Sequence, residues 1–386
     1  MGNVLIGVAI ADMSDFEAID PAYGIGDQRL QVEALVAHEL AAGGVPECGE
    51  PHLIFREFSS VDIGHKRAVA DEFARDGVLA VVGARDFTYG SVRLAETHRL
   101  PVIDVNAVPR TIFARTDPWL FTIRCAQDLV YLTYARWAHE SGRLDGRTIG
   151  VFSDRYTATS TAIAVSQLAQ NGHRVAAHVD SDGVGVASDR DAEAAQILAD
   201  ADVDLLLPFV SGSSLAAMLR VAERIGFRPT ILDLETGEHA TDVSGAAMPP
   251  SIYEGTSALA MTRVGELAAG RSLDARADEA ISVVETATGR TIERTGRTSS
   301  GSVSNILLAR DLTYLSIEAL RQAGPQVDRA AFVASLQGLT NVPSASGGRI
   351  SFGPGEHWGC REMREIVWTD QQWQVVGEYG PIVRAH

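Results

Sequence analysis

The groups in this chain able to carry chemistry are ten histidines, three cysteines and fifty Asp and Glu side chains. No GxxxxGK[ST] loop is present to cradle phosphates, and "GIGD" (Gly24–Asp27) lacks the third glycine and the preceding strand of a dinucleotide fingerprint. No GxSxG elbow and no HExxH pair occurs. The histidines are scattered without metal-ligand spacing, and His98, His139 and His173 fall near helix ends, where imidazole serves the helix dipole. Nothing assembles a nucleophile, a base and an oxyanion site. What remains is the stretch "VVGARDFTYGS" (Val81–Ser91). There, hydroxyl and charged side chains follow a strand-ending glycine and precede a helix. A helix N-terminus at the end of a strand presents free N–H groups, which is the chemistry of binding.

The elements that position this loop alternate along the chain. "VLIGVAIA" is a strand and "DQRLQVEALVAHELAAGG" an amphipathic helix ending in glycines. "HLIFREFS", "VLAVVGA" and "PVIDVNA" are further strands, separated by the helices "HKRAVADEFARDG" and "YGSVRLAETHRL". "PRTIFARTDPWLFTIRCAQD" has no clear period. After it "RTIGVFS", "HRVAAHVD", "VDLLLPFV" and "PTILDLE" alternate with "ATSTAIAVSQLAQNG", "DRDAEAAQILADAD" and "SSLAAMLRVAERIG". Short apolar strands between helices make right-handed βαβ units and parallel sheets covered on both faces. Two such series predict an α/β protein of two doubly wound, Rossmann-like lobes, with ligands at the carboxyl ends of strands and in the cleft between the lobes.

Composition narrows the class. A chain of 386 residues exceeds one compact core. A net charge of −17 argues against nucleic acid. No apolar run is long enough to span a bilayer, so direct membrane insertion is not expected. Lys66 is the only lysine. Three cysteines with no CxxC pair predict neither zinc nor redox work. The start, "MGNVLIGVAIADMSD", enters a strand directly without a charged n-region or cleavage site. That leaves a cytoplasmic protein or a mature form whose leader is absent.

The ordered blocks resemble the type I periplasmic-binding-protein superfamily, and within it the branched-chain amino-acid (Leu/Ile/Val)-binding receptors of ABC importers. "IGVAIADMSD" is similar to the family's opening strand and Met-Ser turn. "DGVLAVVGARDFTYGSVRLAETHRLPVIDVNAVPRT" carries a Gly-ended strand, a helix, a Pro-led strand and an N-A-x-P turn at the family's spacing. "DRYTATSTAIAVSQLAQNGHRV", "AAMLRVAERIG", "IYEGTSAL" and "GGRISFGPGEHWGCREMREIVWTDQQWQVV" resemble later blocks. The resemblance implies a multi-crossing hinge, with crossings near "FTIRCAQ", "TSALAMT" and "TNVPSASGG". Lobe 1 would then be 1–122 with 261–340, and lobe 2 would be 123–260 with 341–386. Glu266–Arg297 reads as a surface helix and loop. Cys125 and Cys360 fall near these crossings, as a disulfide or as buried thiols.

For the site, the resemblance places ligand-holding residues at matching positions. Where relatives hold a carboxylate with small hydroxyls, this chain has Arg85, Asp86 and Phe87, with Thr88 and Ser91 left as donors. Where relatives have an Ala-Thr pair, it has Ala107 and Val108, preceded by Asn106. An Asp there repels a carboxylate, and a Phe stacks on a ring. Helix capping by Asp86 or Thr88 and packing by Phe87 are the plainer readings of the same residues. Tyr23 matches the family's aromatic over the ligand, with Phe16 second. Tyr156, beside Arg155, matches the aromatic of the other lobe. Ser211 stands where a second aromatic is common, which predicts a more open and polar wall. Glu235, with Glu238 second, matches the acidic residue that receives an ammonium. Solvated carboxylate or helix cap is the plain alternative for both.

The resemblance thus implies a non-enzymatic solute-binding component of an ABC importer. It would be extracytoplasmic, periplasmic or lipid-anchored, with a small-molecule ligand (amino-acid-like, amide or aromatic), a transporter permease as partner, and no cofactor or metal. A cytoplasmic regulator of the amide-sensor type and an enzyme on a reused binding scaffold are the alternatives.

Overall fold

The structure is a computed structural model that describes residues 4–14, 26–83, 86–155, 157–182, 188–235, 245, 247–263, 266, 274–292 and 300–382. The chain divides into two units, Met1–Ala126 with Leu273–Arg361 and Gln127–Ser272 with Glu362–His386.

In the first unit β1 (Val4–Asp12), β2 (Pro51–Ser59), β3 (Ala80–Val82), β4 (Val102–Asp104) and β5 (Leu120–Thr122) form a parallel sheet in the order β2-β1-β3-β4-β5. The residues of β3, β4 and β5 are all buried, as strands covered on both faces must be. Helix α1 (Gln28–Gly43) starts at Asp27, whose carboxylate accepts from the Leu30 N–H, and ends at Gly44. Helix α2 (Ile63–Asp76) starts at Asp62 and ends at Gly77, which takes the left-handed conformation glycine permits. Then come α3 (Thr88–His98) and α4 (Arg110–Thr116). The stretch without a clear period in the sequence therefore holds α4 and β5. They escape periodicity because three and seven residues are too short to show one. Helices α10 (Ala275–Thr288), α11 (Ser300–Ala323) and α12 (Arg329–Gly338) complete this unit. Leu308, Leu312 and Leu315 of α11 and Phe332 of α12 pack on Ile6, Val82, Ile103 and Phe121 of the sheet.

In the second unit α5 (Gln127–Glu140), α6 (Ala158–Gln170), α7 (Asp189–Asp200), α8 (Gly212–Ile225) and α9 (Pro250–Tyr253) accompany a larger sheet. Its parallel strands are β6 (Ile149–Asp154), β7 (Val175–Ser181), β8 (Leu205–Phe209), β9 (Thr230–Glu235) and β10 (Ser257–Ala260), in the order β7-β6-β8-β9-β10. The antiparallel strands β11 (Glu362–Thr369) and β12 (Gln372–Val375) extend it beyond β10, and β13 (Gly380–Pro381) pairs with β11. The core here is aromatic at the antiparallel end, where Trp373 packs edge to face with both Tyr253 and Trp368, and Tyr253 and Trp368 are tilted against each other. Among the described residues no helix is long and apolar enough to cross a membrane. Cys48, Cys125 and Cys360 are buried thiols.

The unit boundaries differ from the expected lobes. The chain after β10, expected to return to the first lobe from 261, stays in the second unit as far as Ser272. There the Met261 and Thr262 N–H groups bond Glu235, and Arg364 of β11 pairs with Glu266. The stretch 341–361 was expected in the second lobe but belongs to the first unit. Trp358 bridges Thr122 at the end of β5, and the buried Asp311 carboxylate of α11 accepts from Ser344 Oγ (2.6 Å), Ala345 N (2.7 Å) and Ser346 N (2.9 Å). This long-range anchor leaves no trace in local sequence. Asp311→Ala strips three donors of their acceptor, so we expect a loss of about 3 kcal/mol or more. A lower urea midpoint at unchanged m-value, with faster hydrogen exchange at Ala345 and Ser346, is the result to measure.

Candidate functional site

Both parallel series have the order second-first-third-fourth-fifth, so the direction of winding reverses beside β1 in one unit and beside β6 in the other. Loops leaving the carboxyl ends of strands at such reversals form binding surfaces. Of the ten candidates, seven are described, and they follow the carboxyl ends of strands: Asp86, Phe87 and Thr88 after β3; Asn106 and Ala107 after β4; Ser211 after β8; Glu235 at the end of β9. Tyr23, Arg85 and Tyr156, with the runners-up Phe16 and Glu238, lie outside the described residues.

In the first unit the end of β1 is tightly tied. The Asp12 carboxylate accepts from Ser14 N (3.0 Å), and hydrogen bonds from Ser14 hold this carboxyl below its ordinary range. Ser60 Oγ donates to the Asp12 carbonyl, and Lys66 Nζ donates to the Ser60 carbonyl (2.6 Å). Gln28, at the start of α1, accepts from Ala11 N and donates to Ala11 O. Its amide takes the place of a neighbouring strand where β3 has already ended. A small pocket of about 30 Å³ lies beside it, walled by Val8, Val82, Gly83 and Val105 and flanked by Gln28 and Asn305. Sequence reasoning missed Gln28 and Asn305, because an amide in a helix looks like any solvated residue.

After β3, Asp86 adopts a left-handed backbone (φ 67°). Phe87 occupies the cap position of α3, without a side-chain hydrogen bond. Of the two roles open for Phe87, packing is the one the structure shows. The ring is fully buried, 4.8 Å from Phe58 and edge-on to Phe73. Gly90 makes room for it, since a Cβ there would lie 2.4 Å from the ring. Thr88 is half-buried.

After β4, Asp104 Oδ1 accepts from both Asn106 N (2.8 Å) and Asn106 Nδ2 (2.7 Å), and the Asn106 carbonyl accepts from Thr122 Oγ1. Asn106 is thereby committed to its own turn, with half-buried Ala107 next to it. Burial raises the Asp104 carboxyl, and the Asn106 donors oppose the shift. The Ser91 hydroxyl is close enough to oppose it too, but lies outside hydrogen-bond geometry.

In the second unit the loop after β6 is stapled on both sides of position 156. Asp154 Oδ1 accepts from Thr157 N (2.9 Å), and Thr157 Oγ1 donates to the Phe209 carbonyl (2.7 Å). Ser211 caps α8, accepting from Ser214 N, and sits in a chain of hydroxyls. Ser211 Oγ donates to Ser214 Oγ (3.1 Å), Ser214 meets Ser181, and Ser181 Oγ donates to the buried Asp191 carboxylate. The Ser211 proton points inward, into this chain, and the residue is 9 % exposed. The open, polar wall expected here is instead a closed internal network. Glu235 is 1 % exposed, and its Oε2 accepts from Met261 N and Thr262 N, both at 3.1 Å. It is neither a solvated carboxylate nor a helix cap, and it locks the ends of β9 and β10 together.

Two residues earlier, Asp233 is fully buried among tyrosines. Tyr253 Oη donates to Asp233 Oδ2 (2.5 Å) and Leu234 N to Oδ1 (2.7 Å), while Tyr134 Oη donates to the Leu232 carbonyl. Desolvation pushes the Asp233 carboxyl up to about 6, and burial raises the phenols of Tyr131, Tyr134 and Tyr253, with the Asp233 charge adding to the shift.

A Ser-His-Asp grouping occurs here but not as a triad. Ser153 Oγ donates to Asp180 Oδ1 (2.6 Å) and meets His178 Nε2 (2.7 Å), and that same ring nitrogen is 3.4 Å from Asp180. A triad has the carboxylate on the far ring nitrogen and an accessible hydroxyl. Here the carboxylate shares the serine's nitrogen, and Ser153 is buried.

The whole chain is matched by solved structures. A solute-binding protein of an ABC transporter from Rhodopseudomonas palustris, in complex with 3,4-dihydroxybenzoic acid, aligns with a TM-score of 0.73 at 15% identity, covering 99% of this chain and 98% of that one. A leucine-binding protein from Thermotoga maritima gives 0.73 at 15% identity, with 98% and 99% covered. A type 1 periplasmic binding protein from Bordetella pertussis gives 0.72 at 13% identity, with 99% and 100% covered. No protein-family model and no curated protein matches the sequence. The chain has the type I periplasmic-binding-protein fold, as the resemblance of its sequence blocks implied.

Asp233 makes a sign-definite pH prediction. A folded-state value of about 6 against an ordinary 3.8 means that this group's stabilisation is fully present below about pH 4 and is lost as pH rises through 6. Asp233→Asn cannot ionise. Its stability relative to the parent should therefore rise by about 3 kcal/mol between pH 4 and pH 7, since each pK unit is about 1.36 kcal/mol. Urea denaturation of both proteins at the two pH values measures this, and a pH-independent difference refutes the buried-carboxylate reading.

Proposed function

We propose that this chain is a non-enzymatic small-molecule-binding protein, acting outside the cytoplasm as the solute-binding component of an ABC importer and delivering its ligand to the transporter's permease. The observation that carries the reading is full-length fold similarity to solute-binding proteins named for a benzoate complex and for leucine. The unit geometry supports it. In both units the winding reverses beside the first strand, and the described candidate residues follow the carboxyl ends of strands.

The same residues favour a ligand class. Asn106 Nδ2 donates to Asp104 within its own turn and the Phe87 ring packs inward, so at these positions the small hydroxyl donors of an α-carboxylate site are replaced. Asp86 and Glu235 bring negative charge instead. In this reading Tyr23, Arg85, Asp86, Thr88, Ala107, Tyr156 and Glu235 hold the ligand, with Tyr156 stacked on it. The ligand carries an aromatic or extended apolar part, or a cationic group, rather than being a plain branched-chain amino acid.

A thermal-shift screen over amino acids, aromatic acids, amides and polyamines tests the reading, because a ligand that binds only the folded state raises its apparent stability. We expect a shift with an aromatic or cationic compound and none with leucine, isoleucine or valine. Calorimetric binding of leucine at micromolar affinity or better, about −8 kcal/mol, would refute the ligand class. Tyr156→Ala should weaken binding of the compound so found by roughly ten- to a hundred-fold, the equivalent of 1–3 kcal/mol of aromatic burial, and leave the unliganded melting temperature unchanged. Unchanged affinity with a lower melting temperature assigns Tyr156 to packing.

A further inference from the structure

His139, in the last turn of α5, and His173, in the turn before β7, meet end to end within the second unit. His139 Nδ1 is 2.9 Å from His173 Nε2, and the ring centroids are 5.1 Å apart at 66°. Both residues are half-buried, so solvent reaches the pair. Two neutral imidazoles can meet this way only if one nitrogen carries a proton and the other offers its lone pair. The pair is therefore one proton held between two nitrogen ligands. Both rings come from ordered elements that the fold brings together: α5 packs on α6, whose end leads into the turn that carries His173.

We propose that His139 and His173 form a transition-metal site, in which a borderline divalent ion such as Cu²⁺ replaces the shared proton. Metal–imidazole bonds of about 2.0–2.1 Å meeting at a right angle place the two nitrogens roughly 2.9 Å apart, which is the observed spacing. The rings now face each other nearly in line, so each tilts toward solvent to turn its lone pair onto the ion, and their partial exposure leaves room for that turn. Tetragonal Cu²⁺ suits two imidazoles in adjacent positions with water at the others. Binding releases the shared proton to solvent. Among the described residues no group of three or more His, Cys, Asp or Glu side chains is placed to hold a metal, so this two-nitrogen site stays open to water or to a ligand atom from outside. Neither residue belongs to the candidate ligand set, and the site stands whether or not the chain is a transport receptor.

The test uses the full chain without a histidine tag and Cu²⁺ alone as the probe. Calorimetry should find one site tighter than any other, and electron paramagnetic resonance should show two nitrogen ligands on that ion. His139→Gln and His173→Gln keep a hydrogen-bonding amide at the contact but remove an imidazole. Each should weaken the tight site by roughly tenfold or more. His178→Gln, which removes an exposed imidazole of the same unit, should leave it unchanged. The proposal is overturned by undetectable Cu²⁺ binding to the parent chain, by a single-nitrogen spectrum, or by Gln variants at 139 and 173 that bind as tightly as the parent. The spectrum of the parent protein decides the question even if a variant fails to fold.

Discussion

A parallel strand that ends inside a protein must hand its chain to a turn whose N–H groups have no strand beside them, and this constraint shapes the binding end of each unit. The chain meets it with side-chain acceptors placed at the last strand residue. Asp12 closes β1, Asp104 closes β4, Asp154 closes β6 and Glu235 closes β9, and each accepts from backbone N–H groups nearby. Ser59 at the end of β2 and Thr122 at the end of β5 do the same with hydroxyls. Buried N–H groups left without a partner would cost about 1–3 kcal/mol each, so these residues fix the loops before any ligand arrives.

That solution has an electrostatic consequence. Four acidic side chains at strand ends bring negative charge to these turns. Helix N-termini offset part of it, because their exposed N–H groups carry partial positive charge. At α3 the cap position is held by Phe87, which contributes no side-chain acceptor of its own, with Asp86 just before it.

Legibility in the sequence followed the range of the interaction. Asp27 and Gly44 at the ends of α1, and Asp62 and Gly77 at the ends of α2, are local signals, and the helices follow them. The alternation of strands and helices gave the two parallel series. β5 was hidden because three buried residues carry no period. The third change of unit was hidden because Asp311 reaches across to Ser344–Ser346, a contact no local pattern announces. Phe87 could not be assigned from its loop, since its partners Phe58 and Phe73 come from β2 and α2. Ser211 looked like a polar wall because its hydroxyl is polar. What decides its role is the Ser214–Ser181–Asp191 chain behind it, which takes its proton. At strand ends, local pattern located the turns, and only long-range partners told what each side chain there is bonded to.

Asp233 and Glu235 show how two acids separated by one residue come to different ends. Both are almost completely buried on β9. Along a strand successive side chains alternate, so residues two apart share a face, and their charges repel across it; Glu235 adds to the upward shift of Asp233. Asp233 meets one phenol and one N–H inside the aromatic core, where desolvation dominates. Glu235 instead meets two N–H groups at the strand terminus. A phenol tolerates a protonated partner, because its O–H can still donate to the carboxylic acid's carbonyl oxygen. Asp233 therefore carries the cost of burial inside the aromatic core, while Glu235 ties the end of β9 to the turn after β10 at the carboxyl end of the sheet.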